Sequence, residues 1–319
     1  MALSKAPAVT HVRVDDGSAG QRIDNFLVRV CKGVPKSHIY RILRSGEVRV
    51  NSRRVDQTYR LQGGDEVRIP PIRLAEKDPA AAPVPVGKPF DIVFEDDALL
   101  VLDKPAGLAV HGGSGVSFGV IEQLRRQRPE AKFLELVHRL DRETSGLLIV
   151  AKKRSALTVL HDMMREGRVH KRYLTLVAGR WLNLQQHIKL ALHKYLTEDG
   201  ERRVSVSRDG KPAHSIVRLV RRWQTCSLVE VELKTGRTHQ IRVHLSHSGF
   251  PLFGDDKYGD FALNKQLEKA GLKRMFLHAA KLAFRHPLTD REIELESPLP
   301  AELDEFVASV EQNEEREYG

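Results

Sequence analysis

His138-Arg139-Leu140-Asp141-Arg142-Glu143-Thr144-Ser145-Gly146 sets an aspartate in a basic, turn-forming segment between two apolar runs, Leu134 to Val137 and Leu147 to Ala151. Both runs are short and carry β-favouring residues, so each predicts a strand with the nine residues as the turn between them. A charged turn is ordinarily structural or solvated. On these residues alone, an aspartate that ties down a surface turn through its basic neighbours stands beside one presented for chemistry.

Outward from this segment, further short strings recur. Asp96-Asp97, Leu99-Leu100-Val101-Leu102 and Asp103-Lys104-Pro105-Ala106-Gly107 lie upstream. Lys171-Arg172-Tyr173, Thr235-Gly236-Arg237-Thr238-His239-Gln240-Ile241-Arg242, Gly254-Asp255 and Tyr258-Gly259 lie downstream. With His138-Arg139-Leu140-Asp141 followed by Thr144-Ser145-Gly146, this spaced set resembles the pseudouridine synthases of the ribosomal large-subunit type across residues 90 to 295. One departure is Gly210-Lys211-Pro212-Ala213-His214-Ser215, which has Ser where the family usually has Thr; the hydroxyl is kept.

The chain has 319 residues, enough for a full core plus a small accessory domain. A formal net charge of +10 favours an acidic partner, whether RNA, DNA or an anionic membrane. Met1-Ala2-Leu3-Ser4-Lys5-Ala6-Pro7 lacks the apolar centre of a signal peptide, and no run has the roughly 18 apolar residues of a spanning helix, so a cytoplasmic protein is expected. Cys31 and Cys226 show no C-x-x-C spacing and read as small buried hydrophobes.

Ala75 to Gly87 contains Pro79, Pro83 and Pro85 among small residues, which forbids regular pairing and marks a tether. The expected organisation is a flexible N-terminus over residues 1–10, a compact unit over 11–75, a linker over 76–89, a second domain over 90–311 and a charged, frayed tail over 312–319. In the first unit Ile23, Phe26, Leu27 and Val30 recur at helical spacing up to Gly33, and Ile39, Ile42 and Leu43 repeat it up to Gly46. Val48 and Val50 then alternate into an Asn51-Ser52 turn, and Gly63-Gly64-Asp65 leads into Val67 and Ile69, both consistent with hairpin chemistry.

This unit resembles the S4 RNA-binding domain, with Gln21-Arg22-Ile23-Asp24 opening the first helix and Gly46-Glu47-Val48-Arg49-Val50-Asn51 entering the sheet. Residues 11 to 74 hold 13 basic side chains against 7 acidic ones, so much of the chain's positive charge sits in about a fifth of its length. Arg22 at the start of the first helix, and Lys36, Arg41, Arg44, Arg53 and Arg54 off the apolar stripes, are the candidate RNA contacts. The alternative for such a run is a solvated helix face.

In the second domain, Phe90 to Phe94, Tyr173 to Val177, Ser215 to Val220 and Ser227 to Leu233 add strands, and Ser155 to Arg165 a helix. The fold class is therefore α+β with a mixed sheet. The resemblance implies more: a bent, mainly antiparallel sheet with flanking helices and an active-site cleft across its middle.

The reaction that the resemblance implies breaks the bond from ribose C1′ to N1, turns the uracil and rejoins it at C5. It needs a carboxylate near C1′ and C6 and no redox agent, and Asp141 is the family match for it. A carboxylate held ionised by a cation needs no partner base to act as a nucleophile, unlike serine or cysteine. The resemblance gives Arg242 that place, although by spacing alone it is a surface arginine on a helix over Thr238 to Ser248. A uridine stacked in RNA has to be extruded, and the resemblance places Tyr173 against its uracil and Ile241 on the opposite side, where each alone reads as core. Arg139 keeps two readings, filling the gap left in the RNA stack or contacting a phosphate.

Other chemistries fail on spacing. His239, His244 and His247 crowd one segment without H-E-x-x-H or a nearby cysteine, and the H-x-E and P-C-x-x-C strings of zinc deaminases do not occur. Gly113-Ser114-Gly115-Val116-Ser117-Phe118 places its next glycine, Gly119, one position late for a dinucleotide fingerprint, and Gly210-Lys211 lacks the earlier glycine of a phosphate loop. No metal and no cofactor are expected. The expected partner is RNA, by resemblance 23S ribosomal RNA or a large-subunit assembly intermediate, with no membrane and a monomeric enzyme. Two alternatives are a tRNA-directed synthase and a ribosome-assembly protein with a vestigial catalytic fold; the intact Asp141, Tyr173 and Arg242 argue against the second.

Overall fold

The computed structural model describes residues 8–31, 33–72, 87–112 and 118–318. Most of the proline-rich tether, the first seven residues and the Gly113 to Ser117 part of the glycine-containing string lie outside them. The chain divides into two units, Met1–Val84 and Pro85–Gly319, with the division inside the tether.

In the first unit, β1 (Thr10–Arg13), α1 (Ile23–Val30), α2 (Lys36–Arg44), β2 (Arg49–Val50) and β3 (Glu66–Ile69) form two helices on a three-stranded antiparallel sheet of order β1-β3-β2. Ile23, Phe26 and Leu27 of α1 and Ile39, Ile42 and Leu43 of α2 bury together with Val48, Val50, Val67 and Ile69. Each side chain so buried contributes roughly 1.5–3 kcal/mol. The sheet begins at Thr10, the last residue assigned to a flexible N-terminus, because Thr10 and Val12 register against Ile69 and Val67. Asn51 and Ser52 do form a turn in the left-handed region, but it leads to Arg53 rather than directly into β3. Buried Asp65 fixes the intervening loop, accepting from Asn51 Nδ2 at 2.8 Å and from Gln62 N at 2.8 Å.

The second unit is built on a ten-stranded sheet. Its first six strands are β4 (Asp91–Glu95), β5 (Leu99–Lys104), β6 (Glu135–Leu136), β7 (Ser145–Ala151), β8 (His170–Ala178) and β9 (Gln185–Lys189). A separate ribbon of β10 (Leu192–Leu196) and β11 (Arg202–Val206) follows, and β12 (His214–Arg222), β13 (Cys226–Leu233), β14 (Leu277–Arg285) and β15 (Glu292–Glu296) complete the sheet. The order is β4-β5-β7-β14-β8-β13-β12-β9, with β6 beside β7 and β15 beside β14. Only the β7–β14 pairing is parallel among these, so the sheet is mixed and mainly antiparallel. The helices are α3 (Val120–Gln127), α4 (Arg154–Arg165), α5 (Gln240–His247), α6 (Phe261–Lys269) and α7 (Ala301–Tyr318).

Every residue of β7 is buried, which explains its continuous apolar run. Leu148 and Val150 pack on one face with Val120, Ile121 and Leu124 of α3 and Ile241 and Leu245 of α5. Leu147, Ile149 and Ala151 pack on the other with Leu157, Leu160 and Met163 of α4. Gly146, at the head of this strand, pairs with Ala279 of β14. Its φ is +106°, and a Cβ there would lie 2.4 Å from the Ala279 carbonyl oxygen, so only glycine lets β14 close against β7.

The acidic C-terminal segment is not a frayed tail: α7 runs through it to Tyr318. Leu303 and Phe306 bury beside Trp223 and Phe253, and Glu311 pairs with Arg221 further along the helix. Both cysteines are free and buried. Among the described residues no helix is long and apolar enough to cross a membrane.

Candidate active site

The turn that carries Asp141 joins β6 to β7 and is closed by Thr144 N donating to Asp141 O at 3.2 Å. Buried Lys104 and half-buried Arg274 hold its backbone. Lys104, at the end of β5, donates from Nζ to the carbonyls of Pro105 and Leu108 at 2.8 Å each and of Arg142 at 3.1 Å. Arg274 donates from Nη2 to Glu143 O at 3.2 Å and to Ser145 Oγ at 2.8 Å. The two carbonyls that follow Asp141 are thus each gripped from a distant part of the chain, which fixes where the carboxylate emerges. Burial, then the nearby Arg274 charge, pushes the Lys104 amine down to about 7. His138 accepts Ile149 N at 3.2 Å, and burial pushes its imidazole down to about 3, which keeps it a neutral acceptor.

Arg242 of α5 is buried rather than on the surface. Its Nη1 faces Asp141 Oδ2 at 3.6 Å, while its Nε and Nη2 form a two-pronged pair with Asp255 at 2.7 and 2.6 Å. Asp255 Oδ1 also accepts from Lys257 N at 2.8 Å and Tyr258 N at 3.0 Å. Burial opposes the charge on both partners, yet their mutual hydrogen bonds hold Arg242 above and Asp255 below their ordinary ranges. Gly254, with φ +72°, permits this loop; a Cβ there would lie 2.2 Å from Arg274 O. The sequence shows Gly254-Asp255 as a motif but does not reveal that Asp255 is the tight partner of Arg242.

Asp141, Arg242, Tyr173, Ile241 and Arg139 converge on one small pocket of about 60 Å³, with His239, Arg237 and Leu233 also in its wall. Asp141, Arg139, Tyr173, Leu233 and Arg237 also line a cleft of about 430 Å³, where Arg165, Lys171 and Lys234 add positive charge. Tyr173 of β8 sits opposite Val231 of β13 and Ala279 of β14, and both it and Ile241 are buried. Burial first, then the Asp141 charge, raises the Tyr173 hydroxyl above its ordinary range, so it stays protonated. Lys171 is pushed down to about 8 by burial and by Lys234. Arg139 is exposed. His239, which stands in the Thr235 to Arg242 string, has Nε2 at 3.9 Å from Asp141 Oδ1.

The arrangement is one of a carboxylate with a cation at hand, flanked by an aromatic and an aliphatic wall at the edge of a basic cleft. Such a site suits attack by the carboxylate on a flat, neutral group attached to a polyanion.

In the first unit Lys36, Arg41, Arg44, Arg53 and Arg54 are exposed, as an RNA contact requires, and Arg22 is half-buried and paired with Asp24 at 2.7 Å. Arg54 lines a groove of about 550 Å³ with Arg49 and Arg68, two arginines not among the candidates chosen from the sequence. Their strand positions pointed to the sheet rather than to the groove beside it.

Comparison with known proteins bears on both units. The RNA pseudouridylate synthase family model matches residues 98–247 and the S4 domain model matches residues 21–67. The chain is 52% identical to the ribosomal large subunit pseudouridine synthase C of Salmonella typhi over 306 residues, which is 94% of this chain and 96% of the relative. It is 50% identical to the protein of the same name from Pasteurella multocida over 307 residues, 95% of this chain and 94% of the relative. Among solved structures it resembles human RNA pseudouridylate synthase domain containing 1, with a TM-score of 0.57 and 26% identity over 72% of this chain and 97% of that one. Human RNA pseudouridylate synthase domain containing 4 gives a TM-score of 0.56 and 25% identity over 69% of this chain and 93% of that one. The protein belongs to the RNA pseudouridylate synthase family, with an S4 domain ahead of its catalytic unit.

Proposed function

We propose that this synthase isomerises uridines of large-subunit ribosomal RNA, 23S rRNA, using Asp141 as the nucleophile on a uridine turned out of the RNA stack. The choice of RNA is supported by the relatives at 50–52% identity, which carry the name ribosomal large subunit pseudouridine synthase C. The observation that carries the chemistry is the meeting of Asp141, Arg242, Tyr173, Ile241 and Arg139 at one pocket, although they span 104 positions of sequence from Arg139 to Arg242.

In this reading the Asp141 carboxylate bonds to the nucleotide, and the N1–C1′ bond breaks with its electron pair passing to the uracil. The uracil turns, C5 bonds to C1′ as the carboxylate is released, and C5 loses a proton while N1 gains one. Substrate and product are isomers, so no atom or electron is gained overall. Attack at C1′ or at C6 calls on the same carboxylate. Arg242 orients it, Tyr173 and Ile241 flank the uracil, and Arg139 either fills the vacated place in the stack or holds a phosphate. The exposed arginines and lysine of the S4 domain add affinity through phosphate contacts, in which Arg22 takes part less because Asp24 partly neutralises it.

Asp141→Ala and Asp141→Asn are expected to abolish pseudouridine formation in single-turnover assays while RNA affinity stays near that of the wild type. Appreciable turnover by either variant would overturn the assignment. Mapping pseudouridine in total RNA with and without the gene distinguishes 23S rRNA from tRNA as the substrate.

A further inference from the structure

His239 caps α5 with φ 52° and ψ 23°, a left-handed conformation that is uncommon for a residue with a side chain. Strain of this kind persists where the surroundings over-determine it, and it gathers at working sites. The surroundings here are specific. His239 Nδ1 lies 2.7 Å from the Tyr258 hydroxyl, and that oxygen also accepts from Val204 N of β11 at 3.0 Å.

A phenol has one proton to give, and with its oxygen already receiving the Val204 N–H, the hydroxyl donates to Nδ1. The ring proton of a neutral His239 is then on Nε2, the atom that faces Asp141 Oδ1 at 3.9 Å. The opposite tautomer would turn an imidazole lone pair toward a carboxylate. Tyr258 also touches the other neighbour of Asp141: the Arg242 guanidinium lies 5.0 Å from the centre of its ring, while His239 meets the ring edge-on at 5.5 Å.

We propose that Tyr258 fixes His239 as the neutral Nε2–H tautomer, making His239 a positioning residue that aims a proton at Oδ1 of Asp141 while Arg242 faces Oδ2. The role rests on Asp141 being the nucleophile. Donors on both oxygens restrain rotation of the carboxylate, and contacts that are long in the free enzyme shorten in the reacting complex. Of the charged groups facing the ring, Asp141 and Asp255 favour the imidazolium and Arg242 and Lys257 oppose it. Burial is the largest influence and holds His239 below its ordinary value, so the ring is neutral at pH 7. Burial also pushes the Tyr258 hydroxyl up to about 12, so its proton stays in place for Nδ1.

The test is ¹⁵N NMR of the full-length protein labelled at histidine, with the His239 signals identified by their loss in His239→Asn. The ring nitrogens report the tautomer directly. A neutral Nε2–H ring is expected from pH 7 to 8 in the wild type, and a mixture of tautomers or a gain of charge in Tyr258→Phe. An imidazolium or an Nδ1–H tautomer in the wild type would overturn the proposal, whatever the activity. In single turnover, His239→Asn, whose asparagine tolerates the left-handed backbone, is expected to be slower by roughly 10- to 100-fold with little change in RNA affinity. A wild-type rate in that variant would also overturn it. If His239→Asn fails to fold by circular dichroism, His239→Gln identifies the signals and Tyr258→Phe carries the test, because an unchanged tautomer there refutes the relay. Activity in Asp141→Ala would instead refute the nucleophile assignment, leaving the tautomer measurement as a separate result.

Discussion

Replacing Arg242 by methionine would separate the two carboxylates that this arginine serves. The Arg242 and Asp255 side chains are 5% and 1% exposed, so the substitution leaves the Asp255 charge buried without its cation. Breaking a buried pair in this way costs about 3–5 kcal/mol, a large share of a total stability of about 5–15 kcal/mol. For a unit of this size each kcal/mol moves Tm by about 2–4 °C, so Arg242→Met should melt roughly 6–20 °C below the wild type. At 3.6 Å from Asp141 and an effective dielectric near 20, the attraction between Arg242 and that carboxylate is about 5 kcal/mol before solvent screening. Under the proposed mechanism that attraction fades as the carboxylate forms its bond, so charge alone would favour the resting enzyme, and the gain in rate would come from orientation. Loss of orientation should slow single turnover by about 100-fold.

The double variant Arg242→Met/Asp255→Asn tells the two roles apart. It removes the orphaned charge and should recover much of the lost Tm, yet the rate should stay low because Asp141 still has no arginine beside it. Thermal melts followed by circular dichroism, beside single-turnover assays on a minimal RNA, measure both. Recovery of rate together with stability would refute this reasoning and reduce Arg242 to a structural residue.

Lys104 deprotonates near pH 7 in the folded protein and near its ordinary 10.5 once unfolded. Between those values the unfolded chain binds more protons, so this site's contribution to stability rises from pH 7 to pH 10. Lys104→Met should flatten that rise in denaturant titrations, and a slope as steep as that of the wild type would show that Lys104 is not its source. In the S4 domain, replacing Arg49, Arg54 and Arg68 with glutamine should lower the slope of log K against log salt by about 2 to 3, since each lost phosphate contact removes about 0.7–0.9. An unchanged slope would move the RNA to the exposed face of α2, where Lys36, Arg41 and Arg44 can be replaced in turn.

Elements whose neighbours impose a simple pattern were legible in the sequence. β7 was legible because burial on both faces demands a continuous apolar run, and α1 and α2 because each buries one stripe. β14 was not, since Leu277-His278-Ala279-Ala280 has little β preference and its place depends on Gly146, more than 130 positions away, lacking a Cβ. α7 was missed because its acidic composition suggested solvent, while the contacts that anchor it, Leu303 and Phe306 in the core and Glu311 on Arg221, become visible only once the sheet is formed.

The site divides along the same line. Asp141, Tyr173 and Arg242 stand in recognisable strings, but the residues that set their geometry are polar groups whose partners come from elsewhere in the chain. Lys104 ends a strand, where a lysine is usually solvated. Its burial becomes intelligible only when the Pro105, Leu108 and Arg142 carbonyls are seen to converge on its amine. Asp255 is 114 positions from Asp141, and no periodicity connects them, yet it occupies two of the Arg242 nitrogens and leaves Nη1 facing Asp141. The strings thus contain aiming groups as well, Lys104 in Asp103-Lys104-Pro105-Ala106-Gly107 and Asp255 in Gly254-Asp255, but not the partners of those groups, because aiming is done by hydrogen bonds between parts of the chain that only the fold brings together.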